Sequence, residues 1–502
     1  MKKYAFSVPL LIALLFVILE VVTAGNYGFF GDELYYIACS KNLAFGYVDH
    51  PPLIALITLI SRIIFGGSLW GLRLTAGLAG AGTVLVTVEI VKQLGGGKFA
   101  QNLAALTILS ASIFPALSSF LSMNSFDILI CSICILMLLK IINGADKKYW
   151  IYLGITAGIG LLNKYSILNL GFGIFIGLLL TRHRRFLKTK WPYITAIIAF
   201  LIFLPHIIWQ IENGWPTLEF MRNVQDYKNN PISAFEFLIQ LVIGLNPLTL
   251  PVWISGFYFF FFDKNAKEFR LAGLIVLIFI GAYMLGNSKF YYAAPVFPLL
   301  IAGGAVLIHN LIEKLRMFWI KPASVIIIAL SGIVFMPMAV PVLPPDMFLN
   351  YSKTLGLVNE LQMERGQSDL FPLHFVYRFG WPELVKHTAD VYNALPEGER
   401  SKCAVFAKWY GPAGAVDLFG KKYGLPGAIS GRNNYWLWGP RGYTGEIVIA
   451  IGYSRRELEE FFNEVKIGAV FEHPYAYNQT IWICRKPKMT MSEIWKKVKI
   501  FI

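Results

Sequence analysis

Long apolar runs separated by short polar stretches fill the chain from its start to about residue 341, and a membrane-crossing helix needs about 20 apolar residues. On that ruler the pattern predicts apolar cores at 5–23, 70–92, 99–119 and 125–142, then two shorter ones at 150–162 and 166–180. Five more follow at 191–210, 237–261, 269–286, 291–311 and 320–341, giving about 11 spans. The opening stretch MKKYAFSVPLLIALLFVILEVV is longer than the apolar region of a secretory signal and closes on no A-x-A-type site, so it reads as a retained first span.

The pattern changes at PVLPPD, residues 341–346. Beyond it, CAVFA (403–407), EIVIAIG (446–452), KIGAVFE (466–472) and QTIWICR (479–485) read as strands, and RRELEEFFNEV (455–465) as an amphipathic helix between two of them. The expected organisation is a transmembrane domain over 1–343 followed by an α/β or α+β domain over 344–502. In class terms this is a polytopic α-helical membrane protein with a C-terminal α/β domain.

Composition supports the membrane reading. The 502 residues are 56% hydrophobic and only 15% charged, against roughly 25% charged in an ordinary soluble domain, and the mean hydropathy is +0.56. Charge then supplies an orientation. With the N-terminus inside, the inner ends carry Lys2 and Lys3, Lys92 and Lys98, Lys140 to Lys148, Arg182 to Lys190, Lys264 to Arg270, and Lys314 to Lys321. The net charge of +15 is therefore mostly a topology signal and a contact with anionic lipid, not a nucleic-acid footprint. An odd number of spans puts residues 344–502 on the extracytoplasmic side of the cell (inner) membrane.

Five cysteines do not make a disulfide framework. Cys131 and Cys134 fall in a span as apolar residues. Cys403 and Cys484 fall on two expected strands of the outer domain, where either a bond or two free thiols fits the sequence.

The chemistry concentrates in the first external loop, about 24–69. GDELYY (31–36) brings Asp32 and Glu33, and DHPPLIAL (49–56) brings Asp49 and His50, with Pro51 and Pro52 fixing the chain just after them. The flanking segment is too interrupted to span and amphipathic enough to lie along the interface. Single acids on an outer loop are ordinarily just solvated, but these are bracketed by Tyr35, Tyr36 and Tyr47, and ionisable groups at membrane depth tend to mark function. On the same side lie Arg62, Arg73, Lys164 in LLNKYS and Lys289 in GNSKFYYAAPVFP, against the basic-inside bias. Each taken alone reads equally well as a snorkelling anchor. Acids facing cations here point to a site for a phosphorylated lipid, with a carboxylate acting on whatever attacks it.

GDELYYIACSKNLAFGYVDHPPLIAL, followed by WGLRLTAGLAG, resembles the start of the family 39 glycosyltransferases of the GT-C superfamily, which includes the dolichyl-phosphate-mannose protein mannosyltransferases and the aminoarabinose transferase of lipid A. The resemblance continues through MNSFD (123–127), LLNKYS, KFYYAAPVFPLL (289–300) and YGPAGAVDLFGKKYGLPGAISGRNNYWLWGP (410–440). It implies inverting transfer of a sugar from a polyprenyl phosphate to an acceptor hydroxyl of a lipid, glycan or protein. It makes Asp32 the base, with Glu33 and Asp49 beside it as catalytic candidates. His50, Arg62, Arg73, Lys164, Lys289, Tyr291 and Tyr292 become the substrate-binding candidates. The chain lacks the long insert between later spans that mannosyltransferases of eukaryotes carry, which sets a protein acceptor in question.

Several alternatives stay open at this level. Asp32, Glu33, Asp49 and Asp127 have the hard oxygens that a divalent metal takes, without a closed ligand set. YWLWGPRG (435–442) either stacks sugars or packs. YGPAG (410–414) lacks the glycine spacing of a nucleotide loop. A lipid-linked-sugar flippase would show repeated halves and midplane charges, which the sequence lacks, and a non-enzymatic envelope assembly protein would be indifferent to loss of Asp32.

Overall fold

Helices cover the apolar runs. The computed structural model describes residues 7–228, 232–356 and 371–502, so Lys2 and Lys3 and the first two residues of the 5–23 core lie outside the described residues. Contacts divide the chain into two units: Met1–Asn26, Ile64–Trp209 and Asn229–Pro344 form one, and Tyr27–Ile63, Gln210–Lys228 and Pro345–Ile502 the other.

In the first unit each of the eleven expected cores lies on helix, but length separates them. Among the described residues, six helices are long and apolar enough to cross a membrane: Leu69–Gln93, Met123–Ile142, Trp191–Glu212, Lys264–Leu285, Phe290–Leu315 and Ile320–Ala339. Two bent pairs, Ser166–Leu180 with Arg182–Lys188 and Ala234–Gly244 with Pro247–Phe262, raise the number to eight. Val8–Thr23 and Lys148–Leu161 are shorter, and the 99–119 core is broken into Lys98–Ser110 and Ile113–Ser118. Two of the breaks meet at one side chain. Asn246, in the left-handed region at φ 67° and followed by Pro247, turns the chain between two helices. Its side-chain amide donates to the Ser110 carbonyl at 3.1 Å and to Ser331 Oγ at 2.9 Å, so a buried polar side chain supplies partners at both interruptions. Elsewhere small residues let helices meet: Gly256 and Gly304 lie against the carbonyls of Leu300 and Val252 with no room for a β-carbon.

The second unit is built on a five-stranded sheet of order β2-β1-β3-β5-β4, with β1 Cys403–Ala407, β2 Ala428–Ser430, β3 Ile447–Ile451, β4 Phe462–Phe471 and β5 Gln479–Pro487. β1 runs parallel to β2 and β3, and β5 runs antiparallel to β3 and β4. CAVFA and IVIAI are buried along their whole length, as central strands covered on both faces must be. The expected helix over 455–465 stops at Glu459. Ser454 and Glu457 form a capping box that starts it, but Phe461 and Phe462 enter the core and β4 pairs with β5, so sheet pairing overrides the local helical period. The three-residue β2 escaped notice, being too short for a period to show.

The register also settles the cysteine question. Cys403 pairs with Ile447 and Cys484 with Val448, so the two lie on opposite sides of β3 and, being one residue out of step, point to opposite faces of the sheet. Both are free thiols, and a disulfide between them is geometrically excluded.

Candidate functional site

The acids of the opening motifs sit in the second unit. Helix Gly31–Lys41 begins where the chain is pinned at two points: Gly31 N–H donates to the Tyr377 carbonyl at 3.0 Å, and Gly28, at φ 89°, passes so close to the Arg378 carbonyl that a β-carbon would lie 2.7 Å from it. Asp32 and Glu33 occupy the first turn, where the helix dipole favours negative charge. Their tasks differ. Glu33 is fully buried and its Oε2 accepts the Phe30 N–H at 2.8 Å, which caps its own helix. Asp32 is half-buried, and its Oδ1 accepts a hydrogen bond from the Tyr410 hydroxyl at 3.0 Å.

Asp49 is also half-buried, and its Oδ1 accepts from the Tyr35 hydroxyl at 2.8 Å. The rings of Tyr35 and Tyr410 stack with centroids 4.7 Å apart, so one aromatic pair serves both carboxylates. Burial, followed by the negative charges of Asp32 and Asp49, pushes the Tyr410 hydroxyl well above its ordinary pKa; burial and Asp49 do the same for Tyr35. Both phenols therefore remain donors. The loop that carries Asp49 is anchored by Asn434, whose Oδ1 accepts the Val48 N–H at 2.6 Å.

His50 is fully buried, its Nδ1 lies 2.8 Å from the Pro51 carbonyl and its ring stacks on Tyr47 at 4.7 Å. Burial lowers its pKa, so it is a neutral ring donating through Nδ1 and packed within the loop. Arg62, in helix Leu53–Phe65, donates to Ser40 Oγ at 2.8 Å. The same helix exposes Leu56, Ile60, Ile63 and Ile64 while burying Ile54, Ala55, Thr58 and Ser61, the two-sided pattern of a segment lying at an interface.

The remaining candidates belong to the first unit. Lys164, at the turn between Lys148–Leu161 and Ser166–Leu180, donates to Asn124 Oδ1 at 2.8 Å, lies 3.8 Å from Asp127 Oδ2, and sits 4.2 Å from the centre of the Tyr292 ring. Ser166 donates to Asp127 Oδ1. MNSFD, LLNKYS and KFYYAAPVFP thus meet in one polar cluster. Lys289 opens the turn Phe290–Val296, and Tyr291 packs edge-on against Tyr292 at 4.8 Å. Arg73 is 1% exposed, and its Nη1 donates to the carbonyls of Ala24, the C-cap of helix Val8–Thr23, and of Asn26.

For a metal, the four acids considered do not gather: among the described residues no group of three or more His, Cys, Asp and Glu is placed to hold an ion. YWLWGPRG packs. Tyr435 is buried and donates to Asp417 at 2.9 Å, the indoles of Trp436 and Trp495 each donate to the other's carbonyl, and Arg441 grips Asp417 at 3.0 and 2.9 Å. Sequence reasoning missed Tyr410 and Asn434 as partners of the acids. Their only signal was membership in the 410–440 motif, which says nothing of where the fold carries it.

Residues 49–209 match the family model described as dolichyl-phosphate-mannose-protein mannosyltransferase. The lipid A galacturonosyltransferase RgtD of Rhizobium johnstonii is 28% identical over 200 residues, which cover 39% of this chain and 41% of that protein; the chain thus spans about two fifths of that relative's length. The fold matches ArnT from Cupriavidus metallidurans, solved with bound undecaprenyl phosphate, at a TM-score of 0.63 and 12% identity over 94% of this chain and 97% of that one. It also matches the apo oligosaccharyltransferase of Archaeoglobus fulgidus, at a TM-score of 0.50 and 14% identity over 82% of this chain and 63% of that one. The segment 49–209, which carries DHPPLIAL, MNSFD and LLNKYS, is thus similar to the dolichyl-phosphate-mannose-protein mannosyltransferase family, and the fold of the chain is similar to that of ArnT.

Proposed function

We propose that this protein is a multi-pass membrane glycosyltransferase that moves a sugar from a polyprenyl-phosphate donor to a hydroxyl of a lipid, glycan or protein acceptor on the extracytoplasmic face, with inversion. The observation that carries the reading is the pair of half-exposed carboxylates, Asp32 and Asp49, each held by a tyrosine hydroxyl. The family match over 49–209 and the undecaprenyl phosphate bound by the ArnT neighbour support the donor class.

In the proposed reaction the acceptor oxygen attacks the anomeric carbon while Asp32 takes its proton. The carbon–oxygen bond to the phosphate breaks, and its electrons leave with the lipid phosphate. Cations then stabilise the growing negative charge, a task assigned here to Lys164 and Lys289 with Tyr291 and Tyr292 beside them. The inner (cytoplasmic) membrane, with the 345–502 segment outside, is the proposed location, supported by the basic inner loops.

The test is incubation of the purified protein with a panel of polyprenyl-phosphate sugars and envelope acceptors, scoring release of free lipid phosphate. Release with one donor is expected. No release with any donor and any acceptor fraction would end the reading.

A further inference from the structure

The C-terminal segment reaches the acids through one residue. Tyr410 opens helix Tyr410–Phe419 immediately after β1. That helix runs against Gly31–Lys41 so closely that a β-carbon on Gly414 would lie 2.9 Å from Leu34 Cβ. The close approach sets the Tyr410 hydroxyl 3.0 Å from Asp32 Oδ1 and its ring 4.7 Å from that of Tyr35, tilted by 26°. Tyr35 in turn donates to Asp49 Oδ1 at 2.8 Å and accepts the Asn434 N–H at 3.3 Å, so it too is tied to the C-terminal segment.

A base on a helix's first turn has two rotatable bonds of freedom, and turnover needs its carboxylate in one place. A stacked pair, Tyr35 buried and Tyr410 half-buried, with both hydroxyls aimed at carboxylates supplies that fixity from ring packing, at little cost in side-chain entropy. We infer that Tyr410 is a positioning residue for the transfer reaction: the Tyr35–Tyr410 stack fixes Asp32 and Asp49 relative to one another, and the 345–502 segment thereby completes the acid site that the 27–63 segment begins. The inference rests on the proposed role of Asp32 as base.

The hydroxyl also has an electrostatic consequence, since a donor bonded to a carboxylate favours its charged form. The titratable and charged groups around this corner are Glu33, Tyr35 and Tyr36 on the same helix, Asp49 and His50 from the loop, and Tyr410 and Arg432 from the C-terminal segment. The Tyr410 hydroxyl, donating to Asp32 Oδ1 at 3.0 Å, favours the charged carboxylate. Removing the hydroxyl therefore moves proton uptake by Asp32 to higher pH.

The test uses the full chain in lipid nanodiscs. Tyr410→Phe keeps the stack and removes the hydrogen bond; Tyr410→Leu removes both. Tyr410→Phe is expected to lower kcat roughly tenfold, with donor KM within about twofold and the acid limb of kcat raised by roughly 0.5–1 pH unit. Tyr410→Leu should lose more activity. A merely structural tyrosine would lower the folded fraction and leave both the limb and the KM-against-kcat split alone. A second measurement needs no turnover: the pH midpoint of carbodiimide-driven amine coupling to Asp32, read by peptide mass spectrometry, should rise by a similar amount in Tyr410→Phe. An unmoved midpoint, or a moved midpoint with unchanged kcat in an active enzyme, overturns the inference. A wild type inactive with every donor counts against the glycosyltransfer reading alone, and the coupling midpoint still decides the role of Tyr410.

Discussion

Gly414 presses against Leu34: a β-carbon built on the glycine would lie 2.9 Å from Leu34 Cβ and 3.0 Å from its carbonyl carbon and oxygen. Two helices whose facing residues Asp32 and Tyr410 are 378 positions apart in sequence meet there, and the meeting sets the height at which Tyr410 faces Asp32. Gly414→Leu should destabilise the second unit by about 1–3 kcal/mol through overpacking, with Gly414→Ala costing less. Thermal unfolding followed by limited proteolysis of the C-terminal segment measures this. A Leu variant as stable as the parent would mean that the two helices tolerate separation, and the description of this contact would be wrong.

Asp32→Asn keeps the side chain's shape and removes its basicity. Loss of a general base of this kind removes roughly 10²- to 10⁴-fold in rate, and the unfolding temperature should stay near that of the parent because Asp32 is only half-buried. Asp49→Asn should cost less if Asp49 serves mainly to shape the site. Rates measured for both variants under single-turnover conditions with a polyprenyl-phosphate sugar decide the assignment. Should Asp32→Asn retain more than about a tenth of the rate while Asp49→Asn does not, the base is Asp49.

What could be read from the sequence divides along a physical line. The apolar runs carry their own evidence, since a bilayer accepts only helices long enough to cross it, and each expected core is helical. The acids were legible because Asp32 and Asp49 stand out against an apolar background. The partners were not. Nothing local to Tyr410 or Asn434 says that 345–502 folds onto 27–63, and no periodicity encodes that contact. Glu33 and His50 look as reactive as Asp32 on paper, yet one caps a helix and the other is packed between Tyr47 and Cys39, distinctions that only burial and bonding partners reveal.

Arg73 illustrates the same gap and leads to a different experiment. A lone arginine at a membrane boundary reads as an anion contact, but here its guanidinium answers the carbonyls of Ala24 and Asn26 at the end of helix Val8–Thr23. The Ala24 carbonyl, at the C-cap, lies at the negative end of the helix dipole, and that of Asn26 belongs to the turn that follows. Hydrogen bonds to charged groups contribute about 1.5–3 kcal/mol each, so Arg73→Ala should lower stability by about 3 kcal/mol, read as a drop in unfolding temperature in nanodiscs. Arg73→Lys should recover part of it, because an ammonium lacks the forked geometry that meets two carbonyls. If Arg73→Ala left stability unchanged and raised only donor KM, the residue would return to the phosphate site.

Orientation is tested by where a new thiol can be reached. The five native cysteines are buried, and burial pushes the Cys403 and Cys484 thiols up to about 12, so they stay protonated and unreactive near neutral pH. A single introduced cysteine therefore reports against a quiet background. Arg455, on the short helix Arg455–Glu459, has a side chain 66% exposed, and Arg184 is exposed in the basic turn Arg182–Lys188. Lysine and arginine accumulate on the cytoplasmic side of short loops, and the proposed orientation accordingly has that turn inside and the 345–502 segment outside. A membrane-impermeant maleimide should label Arg455→Cys in intact cells and reach Arg184→Cys only after permeabilisation. The opposite pattern would invert the chain in the membrane, and with it the side on which Asp32 could meet an acceptor.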